Sequence, residues 1–93
     1  VGFENMSAYS ASKAALINLS KTLSKELKKL KIRVSCIVPG TINTQANRDS
    51  MPNDNHSKWI NPLDIAKTIS YLISEDSKSL NSSFIKMENI KNE

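Results

Sequence analysis

The chain has 93 residues, 13 Lys and Arg against 9 Asp and Glu for a net charge of +4, and only one cysteine, one histidine and two glycines. A single cysteine excludes an internal disulfide and a cysteine-based zinc site, and a lone histidine offers no metal-ligand spacing, so no metal is expected. No apolar run is long enough to cross a bilayer and no signal peptide opens the chain, so a cytoplasmic protein with no membrane partner is expected.

Residues 1–6 read as a short lead-in, and Ser7 as the N-cap of a first helix running to about Leu30. Leu16, Leu19, Leu23, Leu27 and Leu30 recur at spacings of three and four, the mark of one buried stripe. Lys21, Lys25 and Lys28 fall opposite that stripe, and Lys29 and Lys31 extend the charge. Such a face invites a nucleic-acid or acidic-surface reading. No nucleic-acid motif accompanies it, so a solvated face with no nucleic-acid partner is expected. Tyr9 and Lys13, one helical turn apart, project near the direction of Leu16, Leu23 and Leu27 at about 100° per residue, and so should point inward.

Lys31-Ile32-Arg33 breaks the helical pattern. Val34–Val38 is apolar and β-branched, which suits a strand buried on both faces of a parallel sheet, with Cys36 as a small buried hydrophobe. Pro39 ends it, and Gly40 lets the backbone turn sharply or approach a ligand closely. Residues 45–60 read as a polar loop holding two large apolar groups, Met51 and Trp59. Trp59 taken by itself reads as packing over the next helix. Asn61-Pro62-Leu63-Asp64 is a strong helix start. Ile65, Ala66, Ile69, Leu72 and Ile73 give that helix a core face. Phe84–Met87 reads as a second strand, and helix–strand–helix–strand implies a crossover between two parallel strands.

The chemistry centres on Tyr9 and Lys13. A phenol is a weak acid, and an ammonium held beside one favours the phenolate. Such a pair can pass one proton at neutral pH. Tyr9-Ser10-Ala11-Ser12-Lys13 resembles the Tyr-x-x-x-Lys signature of the short-chain dehydrogenases/reductases. Arg33–Thr44 resembles the family's late strand and the loop after it, with Pro-Gly-x-Ile-x-Thr matched in full from Pro39 to Thr44. The resemblance implies an α/β fold, the C-terminal part of a Rossmann-type doubly wound parallel sheet. Residues 1–93 would then form one part of a single domain. Nothing here resembles the glycine-rich first turn, so a fragment of a larger enzyme is expected.

The resemblance further implies NAD(P)-dependent hydride transfer. Tyr9 would be the proton donor or acceptor, and Lys13 would also bond the cofactor ribose. Pro39, Gly40, Thr41, Ile42 and Thr44 would line the cofactor, with Ile42 backbone groups on the nicotinamide amide and the Thr44 hydroxyl as a further contact. NAD and NADP are not distinguished. Met51 and Trp59 would face a small-molecule substrate. Thr44, Asn47, Arg48, Ser50, Met51 and Pro52, then Ser57 and Trp59, resemble dihydropteridine reductases, as does the tail Asn81–Met87. That narrows the expected substrate to a quinonoid dihydropteridine. Pro39-Gly40 departs toward the general family form. A homodimer or homotetramer through the first helix is implied, with Ala11, Ala14, Ala15 and Asn18 on the shared face. The rival expectations are an inactive remnant and a basic binding module.

Overall fold

The computed structural model describes residues 2–90. It divides into two compact units, Val1–Cys36 with Leu80–Phe84, and Ile37–Ser79 with Ile85–Glu93. In chain order the principal elements are α1 (Gly2–Glu26), β1 (Cys36–Pro39), α2 (Gln45–Ser50), α3 (Pro62–Leu72) and β2 (Phe84–Met87). β1 and β2 form a two-stranded sheet. Cys36 N–H donates to Ser83 C=O at 2.8 Å and Gly40 N–H to Met87 C=O at 2.9 Å. The offset between partners is the same at both ends, which is the register of a parallel pair.

In the first unit, α1 begins before the expected cap at Ser7, inside the stretch expected as a lead-in. It ends at Glu26 rather than near Leu30. A 3₁₀ turn, Lys28–Leu30, follows. Lys31 closes it in the left-handed region at φ 61°, donating its N–H to Lys28 C=O. The Ile32 N–H reaches back to Leu27 C=O at 3.2 Å, so the reversal is hydrogen-bonded without a glycine. The expected leucine stripe is not buried: Leu23 and Leu27 are half-buried, while Leu16, Leu19 and Leu30 are exposed. The side chain α1 buries most deeply is Ser24, whose hydroxyl donates to Lys21 C=O at 2.7 Å. A buried hydroxyl is tolerated because the preceding turn supplies its acceptor.

In the second unit Val38 and Ile60 are buried, while Cys36, buried at the start of β1, closes the first unit. Ile37 and Pro39 between and after them are only half-buried. One face of β1 is therefore closed and the other partly open, against the expectation of burial on both. Residues 45–60 are not a plain loop: they hold α2 and a 3₁₀ turn, His56–Lys58. Asn61 caps α3, its Oδ1 accepting from Leu63 N–H at 3.0 Å, with Pro62 in the first turn. The inner face of α3 is Ile65, Thr68 and Leu72, all half-buried, whereas Ala66, Ile69 and Ile73 are exposed. Ser77 is fully enclosed, its hydroxyl donating toward Leu72 and Ser74 C=O.

Candidate functional site

Residues 7–16 contain no proline or glycine, and small residues separate Tyr9 from Lys13. The helix is therefore unbroken and sets the two side chains one turn apart. Lys13 Nζ lies 3.5 Å from the Tyr9 hydroxyl oxygen, at the long end of hydrogen-bond reach, and 5.5 Å from the ring centroid. One ammonium thus addresses both the phenol oxygen and the π face of the same ring. Tyr9 is 57% exposed and Lys13 half-buried. The ring shares its exposure with Leu16, so the expected inward direction of the pair is not what the structure shows. Its hydroxyl is open to a reacting partner.

The Pro39–Thr44 loop belongs to the second unit. Gly40 is not left-handed, and a Cβ there would meet the Ile60 Cδ1 and the Met87 carbonyl at an ordinary 3.8 Å. The chain bends at Gly40 as expected, but without a left-handed φ, so nothing in the chain itself requires a glycine there. Thr41 C=O accepts from Ile60 N–H at 2.9 Å, and Ile42 pairs with Ile60 in an isolated parallel bridge. Thr44 caps α2, its Oγ1 accepting from Asn47 N–H at 3.2 Å. A hydroxyl that accepts one bond keeps its proton for a second partner.

Met51 and Trp59 take different places. Trp59 is half-buried and its ring meets His56 at 4.4 Å between centroids, tilted 38°. The Met51 carbonyl lies 2.8 Å from His56 Nε2, which must therefore carry the proton, since a carbonyl only accepts. Trp59 lines an open pocket of about 360 Å³ with Asn43, His56, Ser57, Asn61, Pro62 and Asn89. Met51 does not line it. Asn89 Nδ2 secures the floor by donating to the Ser57 and Trp59 carbonyls at 3.1 Å each. The pocket is lined by asparagine amides, the Ser57 hydroxyl and the His56 and Trp59 rings, with no carboxylate, lysine or arginine in its lining. Asn43 and Asn89 were not singled out in the sequence, and Asn61 only as a helix start. The His56-x-x-Trp59 spacing was the available signal, because a 3₁₀ turn brings residues three apart together. The lysines of the basic face, Lys21, Lys25, Lys28, Lys29 and Lys31, are all exposed. Among the described residues no cluster of three metal-ligating side chains occurs, and no helix is long and apolar enough to cross a membrane.

A parallel strand pair joined through a helix, with Tyr and Lys one turn apart on the helix before it, is the arrangement of the C-terminal part of a dinucleotide-fold reductase. The family model described as short chain dehydrogenase matches residues 1–55, and the chain belongs to that family. The chain is 36% identical over 81 residues to the 3-oxoacyl-[acyl-carrier-protein] reductase FabG of Aggregatibacter actinomycetemcomitans, covering 81% of this chain and 34% of that protein. It is 39% identical over 80 residues to the human dehydrogenase/reductase SDR family member 4, covering 75% of this chain and 29% of that one. Among solved structures, a 4-hydroxyisoleucine dehydrogenase complexed with NADH superposes with a TM-score of 0.80 at 33% identity, over 89% of this chain and 38% of that one. A short chain dehydrogenase from Mycobacterium paratuberculosis bound to NAD gives 0.70 at 26% identity, over 87% and 36%. The chain spans about a third of the length of the curated relatives it matches.

Proposed function

We propose that this chain carries the proton-transfer helix and the nicotinamide-side loop of an NAD(P)-dependent oxidoreductase. The observation that carries the reading is the Tyr9 hydroxyl 3.5 Å from Lys13 Nζ on an unbroken helix, in a chain of the short-chain dehydrogenase family. The residues present suit a nicotinamide cofactor. Lys13 offers an ammonium for ribose hydroxyls, and the stretch Pro39, Gly40, Thr41, Ile42 and Thr44 offers two hydroxyls and the Ile42 N–H, which donates to no backbone group among the described residues. The cofactor, NAD or NADP, supplies hydride when bound. Tyr9 gives a proton to the oxygen or nitrogen of the reduced C=O or C=N group. Lys13 stabilises the negative charge left on the phenol oxygen.

The likeness of Thr44–Trp59 to dihydropteridine reductases makes a quinonoid dihydropteridine one substrate. The pocket beside Trp59, with amide and hydroxyl groups and no carboxylate, lysine or arginine in its lining, is compatible with a neutral heterocycle. The relatives named as 3-oxoacyl-[acyl-carrier-protein] reductases make a 3-oxoacyl thioester the other. The test is NADH and NADPH oxidation by the polypeptide as its gene encodes it, with each substrate in turn. Turnover with neither substrate and no binding of either cofactor would refute the reading. Self-association, as a dimer or tetramer, is proposed through α1, where Ala11, Ala14, Ala15 and Asn18 are exposed and small enough for close helix approach.

One observation favours a second reading, an inactive remnant. Among the described residues only Cys36, Val38 and Ile60 are buried hydrophobics. A site that must hold a dinucleotide needs a firmer base than that. Residues 1–93 by themselves are therefore expected to oxidise no NAD(P)H.

A further inference from the structure

The pocket beside Trp59 lies within the second unit, and its polar side chains are only partly engaged. Asn43 Oδ1 accepts from Arg48 Nη1, and Asn61 Oδ1 accepts from Leu63 N–H at 3.0 Å. Both partners are donors, so each must meet the amide oxygen and not the nitrogen. Each amide therefore keeps its NH2 group, and among the described residues neither group has a partner.

His56 is settled by the same logic. Its Nε2 donates to Met51 C=O at 2.8 Å, so in the neutral ring Nδ1 is an acceptor, and it has no partner among the described residues. Asn89, by contrast, spends both Nδ2 protons on the Ser57 and Trp59 carbonyls and holds that wall in place. The wall itself is the tilted His56–Trp59 pair, with ring centroids 4.4 Å apart.

The lining thus offers two NH2 donors, one ring acceptor and a flat apolar surface. An aliphatic acyl chain would strip water from the three polar groups and return no hydrogen bond to any of them. A planar ring with a carbonyl next to an N–H returns both kinds of bond and sets its face against the aromatic wall. A volume of about 360 Å³ is enough for a bicycle of that kind.

We propose that this pocket recognises the lactam edge of a planar heterocycle. The ring carbonyl accepts from the Asn43 and Asn61 amides, and the ring N–H donates to His56 Nδ1. The inference rests on the oxidoreductase reading above and chooses between the two substrate classes offered there, the dihydropteridine over the 3-oxoacyl thioester.

Calorimetric titration of the gene-encoded polypeptide tests it with two unreactive probes. One is pterin; the other is 2-aminopteridine, the same bicycle without the ring carbonyl and the N–H beside it. Pterin should bind at least about tenfold tighter, because a site built to hydrogen-bond a group rejects the analogue that lacks it. Asn43→Asp keeps an oxygen for Arg48 but removes the NH2. It should weaken pterin about tenfold and leave 2-aminopteridine within about twofold, a change of ratio that a merely structural role would not give. His56→Phe keeps a ring against Trp59 and removes the acceptor, with the same selective loss; it is read instead should the aspartate variant not fold. No pterin binding, equal binding of the two probes, or equal loss of both probes in both variants would overturn the inference while leaving the oxidoreductase reading in place. So would turnover of a 3-oxobutanoyl thioester that pterin does not inhibit. Selective pterin binding by a polypeptide that binds neither NADH nor NADPH would instead overturn the oxidoreductase reading and leave the pocket's specificity standing.

Discussion

A phenol and an ammonium one turn apart make a proton device only if the helix between them is continuous and nothing else claims either group. Among the described residues both conditions hold at Tyr9 and Lys13, where the two polar atoms are 3.5 Å apart. Positioned acid–base groups typically contribute 10²- to 10⁴-fold, so Tyr9→Phe should cut turnover by at least about 100-fold while the cofactor dissociation constant stays level. Equal turnover in that variant would remove Tyr9 from the mechanism. Lys13→Ala removes both the charge beside the phenol and the proposed ribose contact. It should lower kcat and weaken cofactor binding together, as separate titration and steady-state kinetics would show. A normal dissociation constant would refute the ribose role. Both residues were legible in the sequence because spacing alone sets neighbours on a helix. The exposure of the ring was not, since that depends on what the rest of the chain covers.

At the scale of elements, local signals were good guides where they concern a few adjacent groups. Asn61-Pro62 starts α3 as its chemistry dictates. Asn61→Ala should cost about 1 kcal/mol by urea unfolding, the usual loss for a cap, because the Leu63 N–H then has no partner in the chain. The end of α1 was misplaced because leucine periodicity continues past the point where the backbone turns. Lys31 sits there in a left-handed conformation that costs a residue with a Cβ about 1–2 kcal/mol. Lys31→Gly should therefore raise the unfolding midpoint, by less than about 1 kcal/mol once the entropy of glycine is counted. A lower midpoint would mean that the Lys31 side chain contributes more than its strain costs. The plain loop expected over residues 45–60 hid α2 because its cap is Thr44, a residue first noticed for another role.

At the scale of the whole molecule the buried apolar set is small, while Leu16, Leu19, Leu63, Ile69, Tyr71 and Ile73 are all exposed. Apolar groups left in water contribute nothing to stability, so the 93-residue chain should unfold with weak cooperativity and bind a hydrophobic dye before it does. A sharp urea transition without dye binding would show that those side chains are covered in solution. Self-association through α1 bears only on those carried by that helix, Leu16 and Leu19. Ala14→Arg sets a long cation on the proposed shared face and should drive the protein toward monomer in sedimentation velocity. No change in sedimentation would move the association elsewhere or dispense with it.

The residues alone determined the family, the parallel pairing of β1 with β2 and the Tyr9–Lys13 pair, because each rests on type and spacing along one element. Tertiary structure decided the rest. Helical periodicity marks which side chains share a face but not whether anything lies against it, so three of the five stripe leucines and three of the five α3 positions read as core are exposed. Strand pairing likewise settled what a loop sequence leaves undecided. That Thr41 C=O and Asn43 N–H are both bonded on one side of the loop follows from Ile60, eighteen residues beyond Ile42 along the chain.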